Sequence, residues 1–275
     1  MAQPALYESQ STQKKIYQLY RDYFDKAEKK RRWSVRDGVP WDQCNRSLDP
    51  AIADVVQTFC MVELFLPDYV SKLLPQVRAQ QGRAWMLTNW GYEESKHSMV
   101  LGDWLLRSGQ RTEEQMSDLT NNVFQREWDL PHDNARGMLC YTMVQEIATW
   151  LHYKNLRKVV GGQCPALDRV LELVAIDEMA HHDFFRRVVE LHLEEDRPGT
   201  LEQLSRVVNT FQMPAIHLFV DGRQRVQAVK ELRIFDDEIF FFEIYEPLLK
   251  KIGVTRAELR RRNSPREIIV LNSSV

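Results

Sequence analysis

The sequence predicts an all-α fold, a four-helix bundle with additional flanking helices. Three observations carry that expectation. The 275 residues include only 11 glycines and 11 prolines, so helix-breaking punctuation is sparse. Strand-like alternation of Val, Ile and Thr is hard to find. Four long segments instead carry apolar residues at three-then-four spacing, the period of a helix with one buried face.

Taken in chain order, residues 10–32 read as a polar helix ending in the basic run Lys29, Lys30, Arg31, Arg32. Trp33 to Pro50 reads as a loop, broken by Gly38 and Pro40. The first core helix runs from about Ala51 to Leu74, where Pro75 is expected to stop it. The second spans Arg83 to Arg107, ahead of Gly109. The third covers Ala135 to Val160 and closes at Gly161-Gly162. The fourth runs from Pro165 to about Glu195, ahead of Pro198-Gly199. Two further helices are expected near Leu201–Phe211 and Gly222–Lys250, and a loosely ordered tail after Ser264. No tandem repeat or low-complexity linker divides the chain. One domain over 1–275 is expected, with core helices at about 51–195 and flanking helices at 10–32 and 201–250.

Composition narrows the function classes. The chain is 44% hydrophobic and 28% charged, with formal net charge -2. No global field attracts nucleic acid. Cys44, Cys60, Cys140 and Cys164 form no CxxC pair, so neither a zinc site nor a disulfide framework is indicated. Free thiols fit a reducing cytosol. No apolar run approaches the ~20 residues that span a bilayer, and the first ten residues lack a signal-peptide layout. A cytoplasmic protein without membrane insertion is expected.

The chemistry lies in the core stripes. The first core helix offers Val56, Phe59, Glu63, Leu66 and Val70; the second, Trp90, Glu94, His97, Leu101 and Trp104. The third offers Leu139, Thr142, Glu146, Thr149 and Tyr153; the fourth, Leu171, Val174, Glu178, His181 and Phe185. Each stripe is apolar except at its middle, where a glutamate stands. In the second and fourth helices a histidine follows three residues later. An unpaired carboxylate in a dry core is very costly, and four in one layer repel one another. Two divalent ions supply four positive charges against the four negative ones. Glu and His three apart share a helix face and reach the same ion. Oxygen and imidazole donors with open positions suit iron or manganese better than zinc. One Glu-x-x-His pair is commonplace; the order Glu, Glu-x-x-His, Glu, Glu-x-x-His, one per long helix, is the pattern of the ferritin-like di-iron carboxylate bundles.

Neighbours of these residues have expected roles as well. A metal-bound imidazole donates its outer N–H to a carboxylate. By the pseudo-symmetry of the two Glu-x-x-His helices, Asp177 is placed to orient His97 and Glu93 to orient His181. Pro67, four residues after Glu63, removes the helix bond to the Glu63 carbonyl, so a kink is expected beside that ligand. Thr149 lies one turn after Glu146; its hydroxyl points either at the open side of the metals or back to its own backbone. His182 points about 100° away from His181 around the helix and is read as structural.

Several stretches resemble the soluble acyl-ACP desaturases, the stearoyl-ACP desaturase type. They are Glu63-Leu-Phe-Leu-Pro67, Glu93-Glu-Ser-Lys-His97, Tyr141-Thr-Met-Val-Gln-Glu-Ile-Ala-Thr149 and Ala175-Ile-Asp-Glu-Met-Ala-His181. Trp33-Ser-Val-Arg-Asp-Gly-Val-Pro40 and Met213-Pro-Ala-Ile-His-Leu-Phe-Val-Asp-Gly222 extend the similarity, which runs from about residue 20 to 250. The spellings drift: EESKH stands for the family's EENRH, and DEMAHH for DEKRHE. The resemblance implies two iron ions cycling between Fe2+ and Fe3+, O2 as co-substrate, and a homodimer. It implies electrons from ferredoxin or a similar donor, and an acyl chain carried on acyl carrier protein. It further implies that Trp33, Asp177 and His97 lie on the electron-entry side and that Thr149 assists at the oxygen site.

The reaction expected is removal of two hydrogens from the acyl chain within a narrow apolar channel. Candidate lining residues are Trp90, Met99, Trp104, Met143, Tyr153 and Phe185. The basic run Lys29–Arg32 is a candidate docking patch for the acidic carrier protein. The alternatives are a di-iron oxygenase, hydroxylating or N-oxygenating its substrate, and less favourably an iron store or radical-generating subunit. A radical subunit needs a tyrosine beside the metals, and Tyr141 and Tyr153 are read as standing one turn or more from any ligand.

Overall fold

The computed structural model describes residues 8–260. The tail after Ser264 lies outside the described residues. The four long apolar stripes fold into the four helices of a bundle, with the first of them broken in two. Helix α1 (Gln10–Lys26) comes first, then α2 (Pro50–Glu63), α3 (Leu66–Val77), α4 (Gln81–Arg107), α5 (Glu113–Phe124), α6 (Ala135–Val160), α7 (Pro165–Glu195), α8 (Arg197–Thr210) and α9 (Gly222–Glu231). The bundle core consists of α2 with α3, α4, α6 and α7; α1 packs across α4 and α7, and α8 against α6 and α7. No strand occurs among the described residues.

The break between α2 and α3 falls beside Glu63, where Pro67 cannot donate to the Glu63 carbonyl. Leu64 and Phe65 form a turn in which Phe65 N–H donates to the Val62 carbonyl (3.2 Å), and the Tyr69 hydroxyl donates to the same carbonyl (2.9 Å). Pro75, by contrast, does not end its helix: α3 continues to Val77. Leu73 and Val77 are both buried, and their burial outweighs the hydrogen bond that Pro75 removes. Pro50–Val77 is also long and apolar enough, by length and composition, to cross a membrane, contrary to expectation. Of its most apolar window, 56% is buried inside the bundle.

Two further expectations are corrected. A helix absent from the sequence reading, α5, is nucleated by a capping box: Gln115 N–H donates to Thr112 Oγ1 (3.2 Å) and Thr112 N–H to Gln115 Oε1 (2.9 Å). The single helix expected over Gly222–Lys250 is interrupted after α9. Arg233 there adopts φ 53°, and Asp236 starts a new helical segment by accepting from Ile239 N–H (2.8 Å). That segment runs through Asp237–Ile239, Phe240–Tyr245 and Glu246–Lys251, and is π-helical in its middle.

The apolar core is divided. One cluster contains Met86, Leu87 and Trp90 of α4 with Phe184, Phe185 and Val188 of α7. The other contains Val100, Leu101 and Trp104 of α4 with Val170, Leu171 and Val174 of α7. Residues 93–97 and 177–181 lie between them and are mostly polar. Although polar overall, α1 buries a stripe of Thr12, Ile16, Tyr20 and Tyr23. It crosses the start of α4 at Gly82, where an added Cβ would stand 2.7 Å from Tyr17 N and 2.8 Å from Tyr17 Cα. Backbone cannot yield as a side chain does. Gly82→Ala is therefore expected to destabilise the fold by about 1–3 kcal/mol, read as a lower urea midpoint; an unchanged midpoint would contradict this packing.

Candidate metal centre

Six side chains converge where the two apolar clusters part. Glu63 ends α2, Glu94 and His97 come from α4, Glu146 from α6, and Glu178 and His181 from α7. All six are buried, none more than 5% exposed. Donor atoms of Glu63, Glu94, His97 and Glu178 lie within 4.8 Å of one another, as do those of Glu94, Glu146, Glu178 and His181. Glu94 and Glu178 belong to both sets. Each set thus has one histidine and one glutamate of its own and two shared carboxylates, which is the donor arrangement for two neighbouring ions.

Hydrogen bonding tests that fit. Glu94 Oε1, His97 Nδ1, Glu146 Oε2, both Glu178 carboxylate oxygens and His181 Nδ1 have no hydrogen-bond partner, although all are buried. Such atoms are rare in a folded interior and need a reason. Both histidines turn Nδ1 inward: His97 Nδ1 is 3.3 Å from Glu178 Oε1, and His181 Nδ1 is 2.9 Å from Glu94 Oε1. Their Nε2 atoms face outward, His181 to Glu93 Oε2 at 2.9 Å and His97 to Asp177 Oδ2 at 3.5 Å. For His181, donation from Nε2 to Glu93 leaves Nδ1 as the metal-binding nitrogen; His97 Nε2 faces Asp177 without a hydrogen bond, and its Nδ1 likewise points inward. The donors fit two divalent iron or manganese ions.

The protonation equilibria show the same strain. Burial and the charges of Glu94 and Glu178 push the carboxyls of Glu63 and Glu146 well above the usual range. Burial also opposes ionisation of Glu94, but His97 and His181 beside it hold it down at about 2. Burial disfavours both imidazolium ions, yet the surrounding carboxylates raise His97 and His181 well above an ordinary histidine. In the absence of cations, protons supply part of the compensating charge.

Two aromatic donors hold the unshared carboxylates. Trp90 Nε1–H donates to Glu146 Oε1 (2.9 Å) and the Tyr153 hydroxyl to Glu63 Oε1 (2.7 Å). Tyr153 therefore touches a candidate ligand instead of standing a turn away: it reaches from α6 across to α2, and separation along one helix does not report that contact.

Outside the two histidines lies a charged layer. Trp33 Nε1–H donates to Asp177 Oδ2 (2.7 Å), and Lys96 Nζ lies 4.3 Å from the Trp33 ring centroid. Arg31 pairs with Asp177 and, at 3.0 Å, with Glu93. Arg32 and the Tyr23 hydroxyl also bond Glu93. Against the opposition of burial, His181, then Arg31 and the Tyr23 hydroxyl, bring the Glu93 carboxyl down to about 2. The expected docking patch is corrected accordingly. Lys29 and Lys30 are exposed, but the Arg31 and Arg32 side chains, 11% and 22% exposed, turn inward to pair with buried carboxylates.

The remaining candidates divide. Thr149 is buried and its hydroxyl donates to the Gln145 carbonyl (2.9 Å), the backbone-bonded arrangement. His182 has its Nδ1 2.8 Å from the Met143 carbonyl and stands outside the cluster. Between α3, α4, α6 and α7 lies a narrow cleft with about 20 Å³ of free cavity, lined by Phe185, Leu87 and Leu139 among others. A smaller neighbouring space of about 10 Å³ shares Leu73, Met138 and Thr142 with it and reaches Trp90 and Gln145 beside Glu146. Trp90 and Phe185 therefore line the cleft, but Met99, Trp104, Met143 and Tyr153 do not. Met99 is half exposed on the outer face of α4, Trp104 donates to Cys164 Sγ (3.5 Å) in the other half of the core, and Met143 is packed in the core.

Groups with raised pKa must release protons when ions take their place, so affinity rises with pH. Loading of a divalent ion near neutral pH is expected to give calorimetric heats that vary with the ionisation enthalpy of the buffer. Buffer-independent heats would contradict the protonation just described.

Comparison with known proteins agrees with this geometry. The family described as fatty acid desaturase matches residues 18–261. DesA1 of Mycobacterium tuberculosis, which carries the name of an acyl-carrier-protein desaturase, is 23% identical over 249 residues, covering 82% of this chain and 72% of DesA1. The chloroplastic stearoyl-acyl-carrier-protein 9-desaturase 2 of Arabidopsis thaliana is 28% identical over 174 residues; the match covers 61% of this chain and 38% of that relative. Among solved structures, the acyl-ACP desaturase homologue DesA2 of M. tuberculosis H37Rv superimposes with TM-score 0.62 at 20% identity, covering 89% of this chain and 100% of that one. An R2-like ligand-binding oxidase mutant reconstituted with a Mn/Fe cofactor gives TM-score 0.58 at 16% identity, covering 88% and 94%. Both solved structures share the ferritin-like helical fold, and the sequence match over nearly the whole chain places this protein in the fatty acid desaturase family.

Proposed function

We propose that this protein is a di-iron, O2-dependent desaturase that introduces a double bond into an acyl chain tethered to acyl carrier protein. The observation that carries the reading is the pair of donor sets sharing Glu94 and Glu178, set beside a largely apolar cleft in a chain of the desaturase family. When bound, two iron ions supply the O2 chemistry that removes hydrogen from an unactivated CH2. Glu63 and His97 would hold one ion, Glu146 and His181 the other, with Glu94 and Glu178 between them.

The protein supplies orientation, dryness and access. Trp90 and Tyr153 fix the two unshared carboxylates through one oxygen each. The cleft lined by Leu73, Met138 and Phe185 would bind the acyl chain by apolar contact and exclude water beside Glu146. Trp33, Asp177 and His97 form the proposed route for electrons from a ferredoxin or similar donor. Thr149 is the proposed hydroxyl on the O2 side; to serve there it must release the Gln145 carbonyl. A homodimer is expected, and four free cysteines suit a reducing cytoplasm.

Iron-loaded protein given ferredoxin, its reductase, O2 and a panel of acyl carrier proteins of different chain length tests the reading by mass spectrometry. Loss of two hydrogens from one acyl chain is expected. Gain of one oxygen atom would favour the hydroxylating alternative on the same scaffold, and unchanged chains with iron bound would contradict the proposal. Glu146→Ala is expected to keep its helical circular dichroism, lose at least one of the two irons and lose turnover. Full iron content with normal turnover in that variant would remove Glu146 from the ligands.

A further inference from the structure

We propose that Arg31 is a positioning residue that holds both halves of the metal centre at once; the inference rests on the metal reading above. Glu93 on α4 and Asp177 on α7 stand behind different histidines, Glu93 behind His181 and Asp177 behind His97. Arg31 lies between the two carboxylates. Its Nη2 donates to Glu93 Oε1 (3.0 Å) and its Nη1 to Asp177 Oδ1. Each carboxylate gives one oxygen to Arg31 and turns the other to its histidine. One guanidinium therefore sets the two carboxylates that set the two imidazoles.

Three features make this more than a surface ion pair. Both carboxylate side chains are only 1% exposed and Arg31 is 11% exposed, so solvent screens the contacts little. The guanidinium also lies 4.7 Å from the Tyr23 ring centroid, and the Tyr23 hydroxyl bonds Glu93 in turn. Arg31 ends a π-helical turn, Ala27–Arg31, closed by Arg32 N–H donating to the Ala27 carbonyl (3.0 Å). The wider turn carries Arg31 and Arg32 inward.

Chemistry favours arginine at this position. A planar fork serves two acceptors on two different helices, whereas a lysine ammonium is a single compact charge. The neighbouring cations do not duplicate the role. Of the two carboxylates, Arg32 pairs only with Glu93, its other ion pair being with Glu28, and Lys96 approaches only Asp177, at 4.0 Å. Without Arg31, two buried carboxylates face each other with fewer partners and both are freer to rotate, so His181 loses a fixed acceptor for its Nε2–H and His97 loses a fixed carboxylate facing its Nε2.

Cobalt(II) titration of the full chain, followed by visible absorption, tests the inference without relying on turnover. Wild type is expected to take up two ions. Arg31→Met is expected to weaken both binding steps by about 10–100-fold, the usual effect of losing outer partners of metal ligands. Arg32→Met, which touches only the Glu93 side, is expected to weaken one step. Circular dichroism checks folding, and if Arg31→Met does not fold, Arg31→Lys decides: folded, with at least one step weakened. Arg31 variants that bind two ions as wild type does would overturn the proposal, and so would an Arg31→Met that weakens one step only, as Arg32→Met does. Wild type taking up fewer than two ions would overturn the metal reading itself, a failure distinct from that of Arg31.

Discussion

The rest of the structure answers to one electrostatic constraint, the burial of four carboxylates in a single layer of the bundle. Glu63, Glu94, Glu146 and Glu178 are all within the dry interior. Mutual repulsion and desolvation forbid them from ionising together. The apolar core is split into two clusters by this layer, so the bundle gives up hydrophobic continuity at its centre. Two divalent cations would resolve the charge, and the unpartnered oxygens and nitrogens facing inward are where they would bind.

Around that layer the chain places a second one of opposite sense. Glu93 and Asp177 stand outside the histidines and are themselves neutralised by Arg31, Arg32 and Lys96, with Trp33 and Tyr23 as neutral donors. The inner carboxylates have one another and two histidines as their charged neighbours, whereas the outer ones are paired with side-chain cations. This difference explains why α1 must dock closely enough to meet α4 backbone to backbone at Gly82. The helix that looked like a polar appendage delivers Tyr23 and, through its π-helical end, both arginines.

Much of this was legible in the sequence. Charged residues in the middle of apolar stripes are a physical anomaly, and helical periodicity brings them to one level without further information. The outward partners Glu93 and Asp177 followed from pseudo-symmetry. Contacts between helices did not. Tyr153 reaches Glu63 and Trp90 reaches Glu146 across the bundle, and spacing within one helix is blind to such reach. The run Lys29–Arg32 read as a candidate docking patch because an i-to-i+4 helix disperses four consecutive charges around its surface; a π-turn re-aims two of them. The α5 helix was missed although Thr112 and Gln115 spell its capping box, since its apolar residues, Leu119 and Val123, are too few to show a period. The break after α9 depends on a left-handed Arg233, which no side-chain preference announces.

Family membership and the buried geometry point to the same chemistry. The most direct measurement is anomalous diffraction at the iron edge from crystals of the iron-loaded protein. The account predicts two peaks about 3.5–4 Å apart, with Glu94 and Glu178 reaching both, His97 reaching one and His181 the other. A single peak, or peaks away from these six residues, would contradict it.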